Sequence, residues 1–242
     1  DYLLINLLYK SPEYILILYF FFLIIILKDI KFFKLNFNFF YYKLFFIITM
    51  VGYPSIILLL LPFPLYDGMR LFLWFLPYFC IIPALTIHYL TKNISKMKSK
   101  FSLIFLSFFI FYFFYNFIII TPYHYTYLNY LNGKNENRYK KFENDYWGTT
   151  LIELVKKTNF KSGKNITMST CGTSLAHVKK HFKNNGVFKI KYMSSEKAEF
   201  IIMTNRITNS TGLINCFDKY KGEDVYKVER NGLLLSVIRK IN

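Results

Sequence analysis

The chain has 242 residues, of which 54% are hydrophobic and 21% aromatic, and 31 Lys and Arg against 14 Asp and Glu give it a formal charge of +17. Apolar and aromatic content this high, clustered in the first half, excludes a simple cytosolic protein. The charge divides as +6 over residues 1–120 (10 basic minus 4 acidic) and +11 over 121–242 (21 minus 10). It is nearly all Lys, in a chain rich in Asn, Ile, Phe and Tyr, and points to membrane lipid headgroups as a partner, not to nucleic acid.

Uncharged apolar runs long enough to cross about 30 Å of hydrocarbon, roughly 20 helical residues, fall near residues 44–64, 71–91 and 101–120. A shorter run near 14–28, bounded by Glu13 and Lys28, spans with snorkelling flanks or with help from Leu3 to Tyr9. None of these runs has a polar face. The fold class expected is therefore an α-helical integral membrane region of about four transmembrane helices over residues 1–120, followed by a small α/β domain. Pro54, Pro62, Pro64, Pro77 and Pro83 lie in or beside the runs and are expected to kink or end helices.

Orientation follows from the short loops. Lys28, Lys31, Lys34 and Lys43 mark one loop and Lys92, Lys96, Lys98 and Lys100 another, so both face the cytoplasm. The loop around Asp67 and Arg70 carries one charge of each sign and faces the other side. An even number of spans then puts the C-terminal half outside, across the inner membrane of a bacterium. The chain opens at Asp1 without Met, which leads us to expect a piece of a longer protein.

From residue 121 the texture turns polar. Residues 121–148 form a junction segment, and 149–242 predict the α/β domain: a helix over 149–158, a strand over 165–169, a helix over 174–183, strands over 187–193 and 198–203, and a hairpin of 224–230 with 233–240 about Asn231-Gly232. Cys171 and Cys216 both fall in this domain, where oxidation is possible, and their pairing is left open. Cys171-Gly172-Thr173-Ser174, between a strand and a helix, is either an anion site on helix amides or a plain turn with Thr173 or Ser174 as N-cap. His177 and His181 are four residues apart on one helix, but with no third ligand at a telling spacing they are expected to be surface histidines, and no metal or cofactor is expected. Asn165 and Asn209 open glycosylation triplets of the kind an Asn-rich chain produces by chance.

Three motifs carry the functional reading. Asp67 and Arg70, in Tyr66-Asp67-Gly68-Met69-Arg70, are costly beside lipid and face a partner, a polar cavity or each other. Tyr123, Tyr125, Tyr127 and Asn129, in Pro122-Tyr123-His124-Tyr125-Thr126-Tyr127-Leu128-Asn129, suit either an interfacial aromatic belt or a sugar or lipid-phosphate site. Asp145 and Trp147, in Asp145-Tyr146-Trp147-Gly148, precede a helix, where Asp145 acts as an outer cap or reaches a partner across the junction. No Gly-rich phosphate loop, paired metal-ligand Cys or nucleophile elbow occurs.

Together the three motifs resemble the C-terminal half of bacterial multi-spanning membrane proteins related to the protein O-mannosyltransferases. That group is similar to the GT-C glycosyltransferases, which move a sugar from a polyprenyl-phosphate-linked donor to an acceptor at the outer membrane face. The resemblance covers the chain from Lys10-Ser11-Pro12 to the terminal hairpin, although Leu71 and Thr121 stand where the group often has His. It implies substrate-binding roles for Asp67, Arg70, Tyr123, Tyr125, Tyr127, Asn129, Asp145 and Trp147, and a catalytic acid in a loop preceding Asp1. Arg70, with a planar fork of donors, is the candidate contact for the donor phosphate. The alternative is a non-enzymatic membrane-anchored binding or assembly module. A transporter fits less well, since no charge sits mid-helix in the long runs.

Overall fold

The computed structural model describes residues 2–61, 68–133, 142, 144, 145, 147–160, 166–187, 189–206 and 214–241. The chain forms two compact units, Asp1–Tyr115 with Leu128–Tyr130, and Asn116–Tyr127 with Leu131–Asn242.

The first unit is helical: α1 (Tyr2–Lys10), α2 (Glu13–Asn36), α3 (Phe40–Leu60), a 3-10 segment (Gly68–Phe75), α4 (Leu76–Lys92) and most of α5 (Met97–Ile119). Among the described residues, three stretches are helical, long and apolar enough to cross a membrane: Phe40–Leu58, Phe72–Lys92 and Met97–Ile119. They overlap the three long runs expected from sequence. The fourth expected run lies within α2, where each 18-residue stretch carries at least three charges, such as Glu13, Lys28 and Asp29. Helical geometry breaks inside α2 at Asp29 (φ −145°, ψ 48°), directly after the apolar run ends.

Pairings show how these helices run. Tyr19 stacks on Phe79 with ring centroids 4.9 Å apart, and farther along Tyr89 donates to Asp29 Oδ2 at 3.1 Å. Sequence number rises along both helices, so α2 and α4 are parallel. Tyr14 meets Phe113 and Phe21 meets Phe105, so α5 is antiparallel to α2.

The prolines act less disruptively than expected. Pro77 sits in the first turn of α4, where its missing N–H is harmless, and α3 and α4 run on across Pro54 and Pro83. Pro62 and Pro64 lie outside the described residues. Pro83 cannot donate to the carbonyl of Phe79 four residues back, and the Tyr19 hydroxyl of α2 donates to that oxygen at 2.6 Å. One turn on, the Thr86 hydroxyl lies 3.0 Å from Ile82 O of its own helix and 3.1 Å from Leu18 O of α2. The proline thus creates a docking point between helices, with no break in the chain.

The second unit holds α6 (Leu151–Lys157), β1 (Ile166–Cys171), α7 (Leu175–Asn184), β2 (Ile190–Tyr192), β3 (Phe200–Thr204), α8 (Cys216–Lys219), β4 (Glu223–Arg230) and β5 (Leu233–Lys240). The five strands lie in the order β2-β1-β3-β5-β4, with β1 parallel to β2 and β3 and β5 antiparallel to β3 and β4. A parallel β1–β2 pair needs a crossover, which α7 supplies. Asn231 (φ 49°) and Gly232 (φ 75°) turn the hairpin, the two successive positive φ values that a tight two-residue turn requires.

One face of the sheet packs Ile166, Met168, Ile202, Leu235 and Ile238 against Leu151, Leu154 and Val155 of α6 and Val178 and Phe182 of α7. The other packs Ile201, Met203 and Val237 against Phe217 of α8 and the Cys171–Cys216 disulfide. The pairing steps from Val228↔Ser236 to Glu229↔Leu234, which leaves Leu235 as an extra residue on β5. This bulge shifts the phase of alternation, so odd-numbered Leu235 and even-numbered Ile238 share one face.

Tyr19→Phe removes the donor to the Phe79 carbonyl and is expected to cost about 1–2 kcal/mol. Unfolding in detergent checks this, with Pro83→Ala as the partner variant. Once the residue at 83 can donate, Tyr19→Phe should cost measurably less.

Candidate functional site

The segment from Thr121 to Tyr127, part of the second unit, opens on a cis Thr121–Pro122 bond and makes a 3-10 turn over His124–Thr126. The turn sends Tyr123 inward, 6% exposed within the α6 and α7 core. Its hydroxyl donates to Glu153 Oε2 at 2.9 Å, and the Arg230 guanidinium lies 5.2 Å from the centroid of its ring. Arg230 Nη2 donates to the same Glu153 oxygen at 2.5 Å, while Lys157 Nζ lies 2.9 Å from Oε1. Burial works to raise the Glu153 carboxyl, but bonds from Arg230, Lys157 and Tyr123 outweigh it and bring it down to about 2. Burial, and then the bond to Glu153, pushes the Tyr123 hydroxyl up.

Tyr125 reaches a second carboxylate. Its hydroxyl donates to Asp145 Oδ1 at 2.5 Å and also meets the Thr149 hydroxyl. Asp145 has no exposed surface. It accepts from the backbone N–H of Thr149 at 3.1 Å and of Thr150 at 3.4 Å, and from the Thr150 hydroxyl. The Thr150 hydroxyl lies 2.7 Å from that of Ser236 on β5. Burial raises the Asp145 carboxyl above its ordinary value, opposed by the bonds from Thr150, Tyr125 and the two amides. Of the two roles open for Asp145, the arrangement is that of an outer cap: the carboxylate binds amides just ahead of α6.

The other motif residues separate from this cluster. Trp147 is 57% exposed. Tyr127 is half-buried, its N–H donating to His124 O at 3.1 Å. Asn129 belongs to the helical unit, where it is fully buried and its Nδ2 donates to Leu8 O at 2.6 Å and Ser11 O at 2.9 Å across the α1–α2 turn. The next N–H, of Tyr130, donates to Glu13 Oε1 at 2.8 Å. Asp67 lies outside the described residues, and of Arg70 only the backbone is described, within the 3-10 segment.

Parallel α/β sheets commonly bind ligands beyond the carboxyl ends of their strands. Here the chain itself occupies the ends of β1 and β3. Gly172 (φ +74°) lies so close to β3 that a Cβ would come within 2.8 Å of Thr204 Oγ1, whose hydroxyl donates to Gly172 O at 2.8 Å. Asn205 Nδ2 donates to Phe142 O at 3.1 Å and accepts on Oδ1 from Asn215 Nδ2 at 2.6 Å. Ser174 is the N-cap of α7 by backbone geometry, without a side-chain bond. His177 and His181 lie on α7, and among the described residues no group of three or more His, Cys, Asp or Glu gathers as metal ligands. Asn165 and Asn209 lie outside the described residues.

Comparison of the chain with protein-family models, curated proteins and solved structures finds no match.

Sequence reasoning did not single out Glu153, Thr150, Arg230 or Ser236. The spacing of Glu153 and Lys157 was a visible helical ion-pair signal. Arg230 reaches Glu153, and Ser236 the Thr150 hydroxyl, only through the folding of the hairpin, and neither left a local signal.

Asp145→Ala removes the acceptor shared by the Thr150 and Tyr125 hydroxyls and two amides, and is expected to destabilise by about 3 kcal/mol, with Asp145→Asn intermediate, as read by thermal unfolding. The Glu153 carboxyl, ordinarily at 4.5, is held at about 2 when folded. Its contribution to stability is therefore complete above about 4.5 and fades as pH falls through about 2. Melting temperatures of the wild type and Glu153→Gln should converge over that acid window and stay apart at neutral pH.

Proposed function

We propose that the chain is the C-terminal portion of an integral-membrane glycosyltransferase using a polyprenyl-phosphate-linked sugar donor at the outer membrane face. The supporting observation is the bond from Tyr125 to Asp145, 2.5 Å across a separation of 20 residues. It joins one residue of the second motif to one of the third, which supports reading those two motifs together. In this reading Tyr123, Tyr125 and Asp145 are positioning residues that fasten residues 121–148 to α6 within the second unit. Arg70 contacts the donor phosphate, and the half-buried Tyr127 and exposed Trp147 shape the entrance for sugar or lipid.

The α/β domain is extracytoplasmic in this reading. The Cys171–Cys216 disulfide suits an oxidising compartment, and the lysines of two loops favour the cytoplasmic side. A non-enzymatic membrane-anchored assembly module is the second reading. It is favoured by the intramolecular bonding of Asp145 and Glu153, which makes both structural anchors.

The test is sugar transfer from a polyprenyl-phosphate donor in membranes carrying the intact protein. Arg70→Ala should lower transfer at least about tenfold and weaken donor binding, with Arg70→Lys recovering part of both. Unchanged transfer and donor affinity would remove Arg70 from that role, and a wild type without transfer activity would leave the module.

A further inference from the structure

A cavity of about 540 Å3 opens in the helical unit between α2, the end of α4 and the start of α5. Phe21 and Ile24 of α2 and Leu90 of α4 form an apolar wall, and Lys28, Lys96 and Lys98 line the cavity with Ser99 and Ser102. Three lysines that line one cavity carry like charges, which repel unless an anion joins them. Among the described residues none of these three lysines is in a salt bridge. The neighbouring carboxylate, Asp29, accepts the Tyr89 hydroxyl at 3.1 Å and is not part of the lining. The amino end of α5, a helix of 23 residues starting at Met97, adds partial positive charge on the same side.

Position narrows the ligand. Lys28 ends the apolar run of α2, one residue before the break at Asp29, and Lys96 and Lys98 flank the first residue of a membrane-capable helix. Ammonium groups at the end of apolar helices lie at headgroup depth. A free phosphate uses the lysines and leaves the apolar wall bare, whereas a lipid phosphate uses both. We propose that this cavity binds the phosphate headgroup of an anionic glycerophospholipid, Lys28, Lys96 and Lys98 taking the charge and Phe21, Ile24 and Leu90 taking the start of an acyl chain. The site depends on the membrane reading of the helices and not on glycosyl transfer, so the failure of one leaves the other standing.

The test uses the full chain in phosphatidylcholine nanodiscs containing phosphatidylglycerol, with lipid retained on release read by native mass spectrometry. Wild type should keep a phosphatidylglycerol that the combined Lys28→Gln, Lys96→Gln, Lys98→Gln variant loses at least about tenfold. The same three positions changed to Arg should keep it, which separates loss of charge from misfolding. Removing equal charge from α7, as Lys179→Gln, Lys180→Gln, Lys183→Gln, should leave retention unchanged, and glycerol 3-phosphate should not displace the lipid. Equal loss in both Gln variants, no loss in the first, loss in the Arg variant, or displacement by glycerol 3-phosphate would each overturn the proposal.

Discussion

A carbonyl that loses its helical donor inside an apolar surrounding has to find another, and in the helical unit this requirement decides where α2 lies on α4. Pro83 frees the oxygen of Phe79, and Tyr19 is the residue of α2 that reaches it. The Thr86 hydroxyl adds a second polar contact between the helices, to Leu18 O. Apolar side chains alone give little preference for one helix register over another in lipid, where they are as well solvated by acyl chains as by each other. Two polar contacts therefore specify an alignment that the surrounding Phe and Ile side chains only fill. The parallel course of α2 and α4 follows, and with it the gathering of Lys28, Lys96 and Lys98 about one cavity.

The second unit answers the same requirement with charge. A carboxylate as buried as Asp145 is tolerated only where donors surround it, and meeting that condition draws Tyr125, the amides ahead of α6 and the Thr150 hydroxyl beside Ser236 to one point. Glu153 meets the condition differently, with two cations and a phenol on a less buried carboxylate. The two acids thus move in opposite directions from their ordinary values, and each fastens the junction segment to the domain.

Much of this architecture was legible in the residues. Alternation and turn chemistry placed each strand of the sheet to within a few residues, because Ile166 to Cys171 mixes apolar and β-branched residues, Phe200 to Thr204 is a short apolar run, and Asn231-Gly232 allows little besides a hairpin. The bulge at Leu235 was not legible, since it exists only relative to β4. Nor was α8, four residues whose place depends on the Cys171–Cys216 bond. Prolines suggested bends in α3 and α4, yet the break falls at Asp29, where charge meets the end of an apolar run. Among the motif residues, sequence adjacency misled: Asn129 stands two residues from Tyr127 but holds the α1–α2 turn in the other unit. Spacing along a chain cannot show where one compact unit hands over to the next.

The order β2-β1-β3-β5-β4 has a consequence in time. β5 is the last of the five strands to be synthesised, yet it lies inside the sheet between β3 and β4, and Leu235, Val237 and Ile238 are fully buried. Until it arrives, β3 keeps an open edge and both apolar layers lack a wall. Vectorial synthesis therefore presents β1, α7, β2 and β3 before the strand that covers the β3 edge, an edge of the kind that invites pairing with other chains. The pairing of β5 with β3 is what closes that edge and completes both apolar layers.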